Sequence, residues 1–437
     1  MAQGRKKLLN IVLCVGFLIN VAATPPRGPV FPLTDTTQNL FPADNEDVFF
    51  VELFKNYPGK FDSVLLHRVG WNVQIIYTQI DRDKNGTPSF KEYAFNKKDA
   101  RYFYPDAAID LAIAMLALQK LHELPFPAID MNSSMITEAG YAGQIAQYND
   151  PNTPDGRPTI AQYIKEMLTG NDPNAFNRLY EFLGQEYINK QLLAKGYKST
   201  QILHRDGVLL SEDENRHTNP IAFYNRNIKQ PVYQQPMQNN LVQYDKRNDF
   251  VGKSYYKDNV LVNAPMDFSQ RNRMSLDDLN RILLSLMFPE KVKAAERFGI
   301  NETDRKFLLK YISQLQAEST YPSYDSSNKK AFAKYILKGA AKDSLSKNIR
   351  IFNKSGMGHG QVTEVAYVAD LENKIEFMVA ATIYCNKDEI LDDNKYDYDT
   401  IGLPFMKDLG KALYDLELKR KRNNIPDLSS LVFTYDK

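Results

Sequence analysis

The stretch Phe103-Tyr104-Pro105-Asp106-Ala107-Ala108-Ile109-Asp110 opens an apolar run that continues to Leu124. Because the run is apolar nearly all round, it predicts a helix in the centre of a domain rather than on its surface. Asp106 follows a proline-containing turn and reads as the helix N-cap. Asp110 comes one turn later, on a helix with no wet face. A charged carboxylate there needs a cationic partner or a route to water.

Strand signals lie on both sides of this helix in the chain. Residues 73–80 are β-branched and aromatic, residues 81–87 form a polar turn, and a second strand is expected over 89–95. Further helices are predicted over 160–169, 174–183, 188–195, 275–287, 303–316 and 404–420, and strands over 348–353, 361–369 and 374–384. Turns are expected at Gly356-Met357-Gly358 and Glu372-Asn373. Strands at both ends with helices between predict one α+β domain whose sheet is assembled from distant parts of the chain. Residues 200–270 are polar, rich in tyrosine and asparagine and weakly periodic, and read as an insertion of long loops with short elements.

Composition bounds the function. The chain has 437 residues, 43% hydrophobic and 25% charged, which suits a globular protein with a real core. Arg5, Lys6 and Lys7 precede a short apolar run ending in Val21-Ala22-Ala23. That is the pattern of a secretory signal over 1–23 cleaved after Ala23, predicting a periplasmic or secreted protein; an uncleaved anchor is the alternative. Cys14 follows Leu13, which argues against a lipoprotein. Residues 24–44 are proline- and threonine-rich and read as a tether to a single domain over 45–437. Cleavage would remove three of 55 basic residues and no acid, leaving 52 against 53. That balance argues against a nucleic-acid partner and leaves the signal segment as the one membrane contact. Cys385 would then be alone, so neither an intrachain disulfide nor a cysteine metal site is expected.

Four segments in order resemble the class A β-lactamase family and its penicillin-recognising relatives, over roughly residues 45–420. Residues 73–80 resemble the first inner strand. Phe103-Tyr104-Pro105 with 111–121 resembles the nucleophile-bearing helix, and Asn171-Asp172-Pro173-Asn174 the Ser-Asp-Asn element. Asn353-Lys354-Ser355-Gly356 resembles the Lys-Thr/Ser-Gly strand. The resemblance implies an α+β, β-lactamase/transpeptidase-like fold: an antiparallel sheet of N- and C-terminal strands plus an all-helical region.

It also implies roles, and several are vacant. The serine of Ser-x-x-Lys is Ala107 and its lysine is Asp110, so neither the nucleophile nor its cationic partner is present. Asn171 and Pro173 replace two members of Ser-Asp-Asn, while Asp172 matches the third. Lys354, Ser355 and Gly356 match the motif that holds a substrate carboxylate. Met357 and Ala107 would offer backbone N–H groups to an oxyanion. Glu214 is the expected counterpart of the deacylating glutamate. Lys354 is also the expected partner of Asp110, across the cleft. The implied protein is a pseudoenzyme without serine acylation, binding a peptidoglycan-like or small carboxylate ligand and needing no cofactor or metal.

Three other readings stand beside this one. Ser133, Ser134 or Ser355 could be the nucleophile of a working hydrolase acting on a β-lactam or peptidoglycan-like amide. Asp106, Asp110 or Glu214 could carry acid–base hydrolysis. A filled cleft would instead mark a partner-binding protein. Asp81 to Glu92 fits an EF-hand loop pattern, but strand character precedes it and Pro88 interrupts it, so a hairpin turn is expected. His67, His122, His204, His217 and His359 show no ligand spacing; His359 alone is placed to border the cleft. Cys385 reads as a core thiol, and the basic run Lys419 to Arg422 as a helix end.

Overall fold

Five strands pair antiparallel in the computed structural model, which describes residues 48–224, 230–324, 334–339 and 345–436. They are β1 (Gln74–Arg82), β2 (Pro88–Phe95), β3 (Ile349–Gly358), β4 (Gln361–Asp370) and β5 (Ile375–Tyr384), in spatial order β3-β4-β5-β1-β2. The first and last thirds of the chain thus meet in one sheet, with Tyr77 opposite Val379 and Lys354 opposite Val365. The expected signal and tether, 1–23 and 24–44, lie outside the described residues.

The helices of eight residues or more among the described residues are α1 (Val48–Lys55), α2 (Asp110–Glu123), α3 (Ile160–Gly170), α4 (Pro173–Leu183), α5 (Gln185–Ala194), α6 (Leu276–Met287), α7 (Glu302–Ser313) and α8 (Leu403–Lys419). Strand alternation sorts them into layers. Ile76, Phe352, Tyr367 and Met378 face a core shared with α2 to α7. Tyr77, Ile351, Val379 and Ala381 face a second core closed by α1 and α8. β4 and β5 are buried along their whole length, as befits the middle of three layers. Among the described residues no helix is long and apolar enough to cross a membrane.

The 107–124 run does form the central helix: 11 of the 14 residues of α2 are buried. It begins later than expected, because residues Asp106–Ile109 form a 3-10 turn first. One turn reading changes, and the hairpin expected at Asp81–Glu92 is present. Gly356, Met357 and Gly358 continue β3, and the chain reverses at His359 and Gly360, both at positive φ. The Asp81–Glu92 loop is a β1–β2 hairpin in which Asp83 Oδ1 accepts the N–H groups of Asn85 and Thr87, both at 2.8 Å. Asp81 is engaged by Arg420 and Gln79, so the loop's first would-be calcium ligand serves an ion pair.

Candidate functional site

Three chain segments bring the sequence-read residues together. The 3-10 turn before α2 supplies Asp106 and Ala107, the α3–α4 junction supplies Asn171 and Asp172, and β3 supplies Lys354 to Met357. The junction is tight because α3 ends at Asn171 in the left-handed region, φ 54, a conformation asparagine tolerates. Asp172 then caps α4, its Oδ1 accepting the N–H of Ala175 at 3.0 Å, and Pro173 fits the first helical position. Asp172 thus caps its own helix.

Lys354 lies on the β3 face that looks toward α2. Its Nζ is 2.8 Å from Asp110 Oδ2, with the two side chains 0% and 4% exposed. It also donates to the Met167 carbonyl at 2.7 Å and to Asn171 Oδ1. An ammonium has three N–H donors, and all three are used inside the protein. Burial pushes Asp110 up to about 7 while Lys354 pulls against it. The expected pairing of Asp110 with Lys354 is present. The expected role of Lys354 in holding a substrate carboxylate finds no support, since neither charge nor donor is left to offer. Ser355 is also buried, and alternation turns its side chain to the opposite face of the sheet.

The backbone donor expected at Met357 is taken as well. The Met357 N–H donates to Asp106 Oδ2 at 2.8 Å, so the protein's own carboxylate occupies one of the two backbone donors. To do this Asp106 takes φ 47, and the turn has no side-chain cap, which corrects the reading of Asp106 as an N-cap. Gly356 makes the approach possible: a Cβ there would strike the Pro105 carbonyl and lie 3.1 Å from the Ala107 nitrogen. The strand and the turn are thus packed backbone to backbone.

Glu214 is placed elsewhere. It closes a capping box with Ser211 on the short helix Glu212–Arg216, accepting Ser211 N–H and Oγ at 2.7 Å, and those bonds hold its carboxyl low. The loop's carboxylate on the site side is Asp206, which sequence reading missed. Burial and then the charge of Asp106 push it up to about 7, with Lys354 and His359 acting against that. Asn177 of α4 fixes it, donating to the Asp206 carbonyl at 2.8 Å and accepting its N–H at 2.7 Å. Tyr104 and His359 complete the wall, with ring centroids 5.1 Å apart, and His359 Nδ1 lies 2.9 Å from Asp392 Oδ1. Of the carboxylates considered for acid–base roles, Asp110 is paired with Lys354, Asp106 accepts a hydrogen bond from β3, and Glu214 caps its own helix.

A family model, the beta-lactamase enzyme family, matches residues 88–416. Solved structures similar to the chain include a class A beta-lactamase from Clostridium kluyveri, 14% identical over 84% of this chain and 97% of that one, TM-score 0.44. A beta-lactamase from Francisella tularensis is 15% identical over 85% and 99%, TM-score 0.44. One from Xanthomonas campestris is 10% identical over 83% and 96%, TM-score 0.45. No curated protein matches the chain.

Proposed function

The chain belongs to the beta-lactamase enzyme family, and we propose that it is a non-acylating member that works by binding. Its α+β fold is the β-lactamase/transpeptidase-like one. One observation carries the reading: at the helix start where the family's nucleophile would stand, Ala107 offers a methyl group, and the neighbouring Asp106 carboxylate fills the Met357 N–H. Acyl transfer needs a nucleophile and an empty pair of donors for the developing oxyanion. Here an anion already sits where negative charge would have to develop, which would raise the barrier rather than lower it.

The three serines weighed as alternatives do not support a displaced nucleophile. Ser133 Oγ is buried and bonded to Asp130, Ser134 pairs with Tyr224 in a small strand, and Ser355 faces away from Lys354. The N-terminal pattern supports export with cleavage after Ala23, residues 24–44 tethering the domain in the periplasm or outside the cell.

The test is exposure of the purified protein to a fluorescent penicillin and to nitrocefin, with intact-mass analysis. No covalent adduct and no turnover above the uncatalysed rate are expected. An adduct abolished by changing Ser133, Ser134 or Ser355 would overturn the reading.

A further inference from the structure

Away from the Ala107 region the chain builds a small three-stranded sheet. Its strands are Ser254–Lys257, Val260–Val262 and Ile390–Leu391, with Ser254–Lys257 in the middle. Val260–Val262 is therefore an edge, and every residue from Tyr256 to Leu261 is exposed. Val260 is 64% exposed and Leu261 40%, so apolar side chains stand in water along a free edge. Such an edge is a template for a further strand.

The turn fixes which backbone groups the edge presents. Asp258 and Asn259 both have positive φ, 51 and 63, the type I′ geometry of a two-residue hairpin. In that geometry Lys257 and Val260 exchange hydrogen bonds beside the turn. The next pair, Leu261 opposite Tyr256, does not. The N–H and C=O of Leu261 thus point away from the hairpin, toward the open side.

Natural edges are usually blunted by a lysine, a proline or a bulge. The stretch Asn259-Val260-Leu261-Val262-Asn263 has no charge and no proline, and it reads the same in both directions about Leu261. Antiparallel pairing about a twofold axis at Leu261 would set that residue against its own counterpart, the two exchanging both N–H···O bonds. Each Val260 would meet the partner's Val262 on the other face. Beyond them Asp258 would face Ala264 and Lys257 would face Pro265, so no like charges are opposed. The strand is complementary to itself in backbone, side chains and charge, which singles out a second copy as its occupant.

We propose that the chain self-associates through this edge, two three-stranded sheets joining into one of six strands. The proposal is independent of whether the Ala107 region acylates anything. A contact this short buries far less than the roughly 1,200–2,000 Å² of a stable interface. The dimer is therefore weak and reversible, with a Kd on the order of 0.1–1 mM.

The test uses the chain from Thr24 onward. Leu261→Cys is oxidised mildly with diamide beside two controls, Leu209→Cys and Ile425→Cys, at exposed positions off this edge; the native Cys385 is buried. Pairing would hold the two position-261 Cα atoms about 5.5 Å apart, within disulfide reach, so a covalent dimer should form at least about tenfold faster than in either control. Sedimentation equilibrium up to about 1 mM should show a monomer–dimer equilibrium for the parent. Leu261→Lys, which adds an edge charge, and Leu261→Pro, which removes only an outward N–H, should stay monomeric with the parent's melting temperature. Cross-linking of Leu261→Cys no faster than the controls would overturn the proposal, as would a Leu261→Lys variant that associates like the parent. A parent that stays monomeric throughout, whether its edge is bare or takes a strand from a different protein, would overturn it too.

Discussion

Lys354 Nζ sits 2.8 Å from Asp110 Oδ2 in a place neither side chain shares with solvent. A pair of this kind adds little over a well-packed apolar substitute, yet losing one partner strands the other charge. Lys354→Met alone is therefore expected to destabilise the protein by roughly 3–5 kcal/mol. Combining it with Asp110→Leu should recover most of that loss. Urea unfolding of the two single variants and the double variant measures the coupling; strictly additive losses would show that the pair is not a unit.

Restoring the family's lysine should fail for the same reason. Asp110→Lys would bury a second ammonium beside Lys354, and like charges at that separation without water cost several kcal/mol. Ala107→Ser, which adds one hydroxyl, should fold with a melting temperature close to the parent's. It should still give no penicillin adduct by mass spectrometry, because the Met357 N–H remains taken by Asp106. An adduct on Ala107→Ser alone would contradict the blocking role given to Asp106.

The glycines of β3 distinguish a backbone contact from a side-chain contact. At Gly356 an added methyl meets the Pro105 carbonyl and the Ala107 nitrogen, both backbone. At Gly358 it meets Asp106 Oδ1 at 3.2 Å, the end of a side chain that can move. Gly356→Ala should cost about 1–3 kcal/mol by overpacking, and Gly358→Ala clearly less. Their urea midpoints, with the m-value unchanged, give the comparison. Equal effects would mean that the turn and the strand are not in tight contact.

How much of this was legible in the chain depends on the reach of each interaction. The central helix was readable because an all-apolar run has one solution, and the Asp110–Lys354 pair because a charge on such a helix has to be matched. The Asp106–Met357 bond was not, since it needs a non-glycine residue at φ 47 and a strand running on to residue 358. For Glu214 a competing signal was present in the sequence: Ser211-Glu212-Asp213-Glu214 is a capping-box pattern, which engages that carboxylate with its own helix. Asp206 had only a weak signal, an Asp-Gly turn, because its partner Asn177 lies 29 residues away.

Stability should fall as the solution is made alkaline, and one residue isolates the effect. Glu166 is buried on α3 beside Asp150, and burial together with the nearby Asp150 and Asp172 charges pushes it up to about 8, against an ordinary 4.5. Between those values the folded protein holds a proton that the unfolded chain has released. The stabilisation is complete below about pH 4.5 and is lost as the pH climbs through 8. Glu166→Gln keeps the shape and cannot ionise. It should match the parent near pH 4.5 and exceed it at pH 8, by on the order of 2–4 kcal/mol. Shifted groups away from Glu166, Asp110, Asp206 and His204 among them, cancel in the difference between variant and parent; Asp150, which shares the site with Glu166, contributes to that difference along with it. A variant no more stable than the parent at pH 8 would show that Glu166 is already ionised in the fold.

The clasp between Asn177 and Asp206 makes a sharper, local prediction. Two short hydrogen bonds, 2.8 Å and 2.7 Å, tie one side-chain amide to both sides of a single loop residue. Asn177→Ala removes both and should cost about 1–3 kcal/mol globally. Its distinctive effect is on the loop: the Asp206 amide would lose its acceptor and exchange with solvent through local opening, while amides of β4 and β5 keep exchanging only by global unfolding. Asn177→Asp should be worse than alanine, because a carboxylate oxygen would replace the donor facing the Asp206 carbonyl. Hydrogen–deuterium exchange read peptide by peptide over residues 203–210 and 361–384 separates the two behaviours. If exchange in 203–210 rises only in step with the sheet, the clasp does no more than contribute to overall stability, and Asp206 is held in place by its burial alone.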